Sequence, residues 1–214
     1  MLSDLVPELE AAVRTAPDQQ QRRALYELMA TSYQACSAAL AKLGEHESAK
    51  TAVSRALTAA QRAGDLLLAA SSAYLLVCIL MEVGRYPHAD ETARKAAAAL
   101  AHLAADGRPG AISLRGALTL RRSLIAARTG DRAAAEAQLS LARDMARQLG
   151  DEGDASDTGF GRDHVALYEV AVRAELGGQP GPPWPDGWAE PGRPGSPGRG
   201  QQSCAIVGWH HEVR

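Results

Sequence analysis

A spacing of one glycine and two alanines recurs three times along this chain. In each copy an alanine follows the glycine after five residues, and a second alanine follows seven residues later. Glycine readily ends a helix in the left-handed conformation, and alanine lets the next helix pack closely against a neighbour. The pattern therefore predicts a repeated helical hairpin. The three copies are Gly44/Ala49/Ala56, Gly84/Ala89/Ala96 and Gly130/Ala135/Ala142.

The composition favours an all-α fold. Of the 214 residues, 46% are hydrophobic but only 4% are aromatic. A core of alanine and leucine suits closely packed helices, whereas sheets draw on β-branched and aromatic residues. The net charge is −2, with acidic and basic residues interspersed, so we expect no direct binding of nucleic acid.

Helical periodicity predicts a leading helix, three helical pairs and a last helix. Asp18 and Asp65 are placed to cap two of them, because an aspartate side chain accepts from free backbone N–H groups at a helix start. The glycines lie 40 and then 46 residues apart, and we expect the loop at 104–110 to absorb the difference. The expected helices are 5–16, 18–43, 45–63, 66–83, 86–103, 112–129, 131–149 and 164–176.

Neither a metal or cofactor site nor a membrane anchor is expected. Cys36, Cys78 and Cys204 are odd in number and lack the paired spacing of a zinc site or a disulfide framework. The first 16 residues carry too many charges for a signal peptide, and no run of about 20 apolar residues offers a membrane span. These features predict a soluble cytoplasmic protein with reduced thiols.

The acidic and glycine-rich segment 150–163 is predicted to be a loop. Phe160, the only phenylalanine in the chain, lies in it between two glycines. An aromatic ring in such a position can hold a loop against the core. We therefore expect Phe160 to anchor this loop.

The composition changes after Gly177, which divides the chain into a repeat domain of residues 1–177 and a tail of residues 178–214. The tail holds 8 of the 20 glycines, 7 of the 11 prolines and all three tryptophans. Segments so rich in proline and glycine do not sustain helices or strand ladders, so we expect disorder. A changed reading frame or an ancestral fusion near residue 178 is one explanation, and a natural flexible tail is the other.

The hairpins resemble the tetratricopeptide repeat. In the first unit the small and apolar residues of that motif have counterparts at Tyr33, Cys36, Ser37, Leu40, Gly44, Ala49, Val53 and Ala56. The resemblance implies antiparallel helical hairpins stacked as a right-handed solenoid.

Three further segments are similar to the C-terminal region of actinobacterial Xre-type helix-turn-helix transcriptional regulators. They are Ala-Lys-Leu-Gly-Glu-His-Glu-Ser-Ala at 41–49, Arg-Ala-Leu-Thr-Ala-Ala-Gln-Arg-Ala-Gly-Asp at 55–65 and Gly-Phe-Gly-Arg-Asp-His-Val-Ala-Leu-Tyr at 159–168. In that family a DNA-binding domain precedes a tetratricopeptide-like region that senses a ligand or mediates dimerisation. The residues before the repeats are too few for such a domain, so the likeness covers the sensing region alone.

The resemblance implies a non-enzymatic binding or dimerisation module, the ligand- or protein-sensing part of a regulator. The alternative is a freestanding interaction scaffold, or a truncated remnant without regulatory activity. The occupant is left open between a protein or peptide, a small ligand and a second copy of the chain. No catalytic residues are expected, because no nucleophile turn, phosphate loop or metal spacing is found.

The first helix of each tetratricopeptide hairpin lines a concave groove, and this register predicts the groove's lining. An apolar middle, a tyrosine and two arginines would suit a peptide with an acidic group. The alternative is that the apolar side chains belong to the core and the arginines are solvated. The expected lining comprises Gln34, Tyr74, Cys78, Met81, Leu120, Arg121, Leu124, Arg128, His164 and Tyr168.

Overall fold

The computed structural model describes residues 2–150 and 158–177, with side chains from residue 8 onward. All regular structure within these ranges is helical, which confirms the predicted all-α class. The tail of residues 178–214 lies outside the described residues. The helices are α1 (Leu2–Thr15), α2 (Gln19–Lys42), α3 (His46–Ala63), α4 (Leu66–Glu82), α5 (Tyr86–Ala99), α6 (Ala101–Ala105), α7 (Pro109–Arg128), α8 (Arg132–Leu149) and α9 (Arg162–Glu175).

The helices pack in consecutive pairs. The most extensive contacts join α2 to α3 and α7 to α8, and α4 pairs in the same way with α5. The first helices of successive pairs also meet, since α2 contacts α4 and α4 contacts α7, which in turn contacts α9. The helix α1 packs against α2. The largest cluster of buried apolar side chains extends from α4 to α9, and two smaller clusters join α1, α2 and α3 and connect α3 with α4.

Aspartate side chains cap three helices at their N-termini. The Asp18 carboxylate accepts from the Gln21 backbone N–H at 2.7 Å, and that of Asp65 accepts from Leu68 at 3.0 Å. Asp131 caps α8 in the same way, at 2.9 Å from the nitrogen of Ala134. Each bond satisfies a donor that has no partner inside the helix, and the capping roles predicted for Asp18 and Asp65 are confirmed.

The three repeated glycines all have positive φ angles, as the sequence predicts. The values are +79° at Gly44, +71° at Gly84 and +80° at Gly130. A β-carbon at any of them would meet no atom within 4 Å. The requirement for glycine at these turns is therefore one of backbone conformation and not of space.

The six alanines of the pattern are buried between the helices. Five are fully inaccessible and Ala96 is 8% exposed. A methyl side chain at these positions lets α3, α5 and α8 approach their neighbours closely, since a larger group would have to displace packed atoms. The repeated spacing thus corresponds to a glycine at each turn and to two buried alanines in the helix that follows.

Some helix bounds differ from the predicted ones. The helix expected over 86–103 ends at Ala99, and the short α6 follows it. The seventh helix begins at Pro109, three residues before the predicted start, because proline fits the first helical turn. The last helix likewise begins at Arg162 and not at residue 164. The extra residues between the second and third units are thus partly helical.

Ion pairs and one aromatic ring hold α9 against the preceding pair. Arg128 of α7 donates to Glu175 at 2.9 Å, and Arg143 of α8 donates to Glu169 at 2.5 Å. The Phe160 ring, 1% exposed, is buried against Gly116 of α7. These contacts fix the last helix although it has no second helix of its own among the described residues.

Candidate functional site

Most of the side chains expected to line an open groove are buried in the structure. Seven of the ten are at most 7% exposed: Tyr74, Cys78, Met81, Leu120, Arg121, His164 and Tyr168. Gln34, Leu124 and Arg128 are half-buried. The expected accessible lining is therefore not present, because these side chains pack against one another and against the core.

The centre of this buried set is the guanidinium of Arg121, on α7. Its Nη2 donates to the Tyr74 hydroxyl of α4 at 3.1 Å. Its carbon Cζ lies 5.2 Å from the centre of the Tyr74 ring and 5.9 Å from that of Tyr168 on α9. The His164 and Tyr168 rings pack edge to face, with their centres 5.1 Å apart. The set joins α4, α7 and α9, and we call it the Arg121 cluster.

Burial alters the acid–base properties of the Arg121 cluster. It raises the pKa of the Tyr74 hydroxyl far above its ordinary value, and the nearby guanidinium offsets only part of this effect. Burial alone lowers the pKa of Arg121, but the facing Cys78, Tyr168 and Tyr74 groups outweigh it and hold that pKa above its usual value. Arg121 is therefore a buried cation beside a neutral tyrosine at physiological pH.

The half-buried members of the expected set also make internal contacts. The Gln34 amide donates to the Ser72 hydroxyl at 2.9 Å and so connects α2 with α4. Arg128 lies 5.9 Å from the Tyr86 ring centre, besides its bond to Glu175. These side chains stabilise the packing of one helical pair against the next.

An open groove lies elsewhere, on the first helical pair. Its volume is about 530 Å³, which falls in the range of small-ligand sites. The floor is formed by α2, one wall by α3, and the other side by Glu10 of α1. Its lining residues are Glu10, Tyr26, Met29, Tyr33, Lys50, Thr51, Ser54, Arg55, Thr58, Ala59 and Arg62.

Two arginine and tyrosine pairs define this groove, which we call the Tyr–Arg groove. The Cζ of Arg55 lies 5.9 Å from the Tyr33 ring centre, and that of Arg62 lies 5.7 Å from the Tyr26 ring centre. The two tyrosines are seven residues apart on α2, and so are the two arginines on α3. Because the helices run in opposite directions, the pairs repeat after two turns.

The charges and hydroxyls of the groove wall have different surroundings. Lys50 forms an ion pair with Glu47, one turn earlier on α3. Arg55 and Arg62 have no carboxylate within ion-pair distance among the residues whose side chains are described. The hydroxyls of Thr51, Ser54 and Thr58 donate to carbonyls four residues earlier, which leaves their oxygens able to accept.

The sequence contains a signal for this groove, although periodicity alone does not reveal it. Tyr26, Met29 and Tyr33 follow one another at helical spacing, and Arg55 and Arg62 share one face of the next helix. Such spacing places Tyr33 in an apolar stripe, but it does not show which stripe remains open. Only the packing of α1 beside α2 and α3 defines the groove.

The described ranges offer neither a metal centre nor a transmembrane segment. No group of three His, Cys, Asp or Glu side chains among them could hold a metal ion. Within the same ranges, no helix combines the length and the apolar character that crossing a membrane would require.

The residues that the structure describes form paired helices with an arginine-lined groove on their surface. Comparisons with protein-family models, with curated proteins and with solved structures gave no match.

Proposed function

We propose that this chain is a non-enzymatic binding module built as a tetratricopeptide-like right-handed solenoid. The support for the solenoid is the contact between the first helices of successive pairs, together with the glycine turns at Gly44, Gly84 and Gly130. Stacked hairpins of this type bury one continuous core and leave extended surfaces for partners.

The observation that carries the proposal is the Tyr–Arg groove. It is concave, it is open to solvent, and its floor combines Met29 with two tyrosines beneath exposed arginines. Concave surfaces with an apolar floor and a few polar groups are the usual form of a binding site. The Arg121 cluster, by contrast, acts inside the stack and connects its helices.

The segments at 41–49, 55–65 and 159–168 support a role as the sensing part of a transcriptional regulator. In this role the groove would hold the ligand or partner protein, and the buried contacts from α4 to α9 would keep the stack in one arrangement. A helix-turn-helix encoded in frame in the adjoining DNA would favour this role over a freestanding scaffold.

Affinity capture with the wild-type chain and with a variant whose groove is blocked tests the binding function. Ser54 of α3 and Ser140 of α8 are both exposed, and each is the tenth residue after a repeated glycine. Ser54 lines the groove and Ser140 does not. The immobilised full chain and the variants Ser54→Trp and Ser140→Trp would be exposed to extract of the native host, and bound proteins and small molecules identified by mass spectrometry.

We expect the wild type and Ser140→Trp to retain the same partner and Ser54→Trp to lose it. Equal retention by all three chains would exclude the groove as the binding site. If no partner is retained above the background of an empty matrix, the binding function itself is contradicted. Circular dichroism checks that both tryptophan variants keep their helical content.

A further inference from the structure

We propose that the Tyr–Arg groove binds an acidic peptide segment of a partner protein in an extended conformation. This inference rests on the proposed binding function and names the chemistry of its occupant. It is carried by the positions of Arg55 and Arg62, whose positive charges are exposed and held above tyrosine rings.

Both arginines are available to an anionic ligand. Arg55 and Arg62 have no carboxylate partner among the described side chains, whereas Lys50 is paired with Glu47. The opposite side contributes one acidic group, Glu10, so the groove keeps an excess of positive charge. A planar guanidinium on a tyrosine face retains its outward N–H groups, which bind a carboxylate through two parallel hydrogen bonds.

The distance between the two arginines determines the spacing of the acidic residues in the peptide. Seven residues along a helix correspond to about 10 Å. An extended peptide in the polyproline II conformation has three residues per turn and advances by about 3.1 Å per residue. Carboxylates at positions i and i+3 of such a peptide lie on one face, about 9 Å apart, and would reach Arg55 and Arg62 together. The intervening apolar side chains would lie over Met29, and the hydroxyl oxygens of Ser54 and Thr58 could accept from the peptide backbone.

The same contacts disfavour nucleic acid as the occupant. Stacking of bases requires free aromatic faces, but the arginines lie over Tyr26 and Tyr33, and Tyr33 is only 6% exposed. The chain also has a net charge of −2, which opposes the long-range attraction of a polyanion.

Fluorescence polarisation tests the inference with the full chain and a labelled peptide Gly-Ser-Glu-Leu-Ala-Glu-Ser-Gly. A matched peptide carries glutamine in place of both glutamates. The protein variants are Arg55→Gln, Arg62→Gln and their combination. Arg173→Gln is the control, because Arg173 is an exposed helical arginine outside the groove.

We expect the acidic peptide to bind and the glutamine peptide to bind much more weakly. Each single groove variant should weaken binding by roughly threefold to tenfold, the range of charge-assisted contacts near a surface. The double variant should bind both peptides equally, and Arg173→Gln should bind like the wild type. Raising the salt to about 0.5 M should weaken the wild-type complex.

Several results would overturn the inference. They are equal affinity for the two peptides, an unchanged affinity of the double variant, or no binding of the acidic peptide. Tighter binding of a single-stranded oligonucleotide or of anionic vesicles through Arg55 and Arg62 would exclude a peptide as the occupant. If Ser54→Trp abolishes capture of a partner whose binding does not depend on the arginines, this inference fails and the proposed function stands.

Discussion

The Phe160 ring lies against Gly116 so closely that a β-carbon on Gly116 would be 2.1 Å from the ring carbon Cζ. Gly116 is in the middle of α7, and Phe160 belongs to the segment that precedes α9. The missing side chain thus provides the space for the aromatic ring. This contact fixes the approach of α9 to the third helical pair.

The variant Gly116→Ala should therefore destabilise the chain, although alanine is normally favoured over glycine inside a helix by about 1 kcal/mol. We expect a loss of about 1–3 kcal/mol from overpacking, measured by urea unfolding. Adding Phe160→Leu should recover part of the loss, because the shorter side chain leaves room for the methyl group. Strictly additive effects would contradict the contact.

The hydrogen bond between Arg121 and Tyr74 predicts that substitutions of these two residues have non-additive effects on the free energy of unfolding. Tyr74→Phe removes the acceptor of a buried guanidinium N–H and should cost about 1–3 kcal/mol. In an Arg121→Met background the same change should cost clearly less, because no buried cation then lacks its partner. Chemical unfolding of the four chains measures the coupling, and an equal cost of Tyr74→Phe in both backgrounds would exclude it.

The raised pKa of Tyr74 predicts a loss of stability in alkali. In the unfolded chain this tyrosine ionises near its ordinary pKa of about 10, whereas burial keeps it neutral in the folded chain. The contribution of Tyr74 to the free energy of unfolding is therefore complete below about pH 10. Above that pH it declines by about 1.4 kcal/mol per pH unit. Unfolding between neutral and alkaline pH should show a shallower decline for Tyr74→Phe, and equal slopes would contradict the burial effect.

The left-handed turns can be tested with two matched glycines. A β-carbon added at Gly130 or at Gly161 would meet no atom within 4 Å, but φ is +80° at Gly130 and 176° at Gly161. We expect Gly130→Ala to cost about 1–2 kcal/mol and Gly161→Ala to cost little, since any residue adopts extended backbone. Thermal unfolding compares them, and similar losses would argue against conformational strain.

The aspartate caps predict a local effect on α4. Asp65→Ala removes the acceptor for the Leu68 N–H and should cost about 1 kcal/mol. Glu45 precedes α3 without making a side-chain cap bond, so Glu45→Ala is the control and should be nearly neutral. Both are measured by urea unfolding, and an equal cost for the two variants would remove the capping role.

The helices, their caps and their glycine turns could be predicted from the sequence because their causes are local. Asp18 and Asp65 accept from residues three positions away, and Gly44 adopts its conformation within its own turn. The break after Ala99 could not be predicted in this way, because residues 86–103 are mostly good helix formers and no glycine or proline marks the interruption.

The Tyr–Arg groove could be identified only from the tertiary structure. Periodicity predicts one inner register for Arg121 and Tyr74, and in the structure these two side chains contact each other, but their exposure depends on what packs over them. Tyr168 of α9 and the surrounding core bury that register, while the position of α1 leaves Tyr26 and Arg62 at an open groove. The sequence alone determined which residues share a helix face, and only the packing of distant segments decided which face is covered.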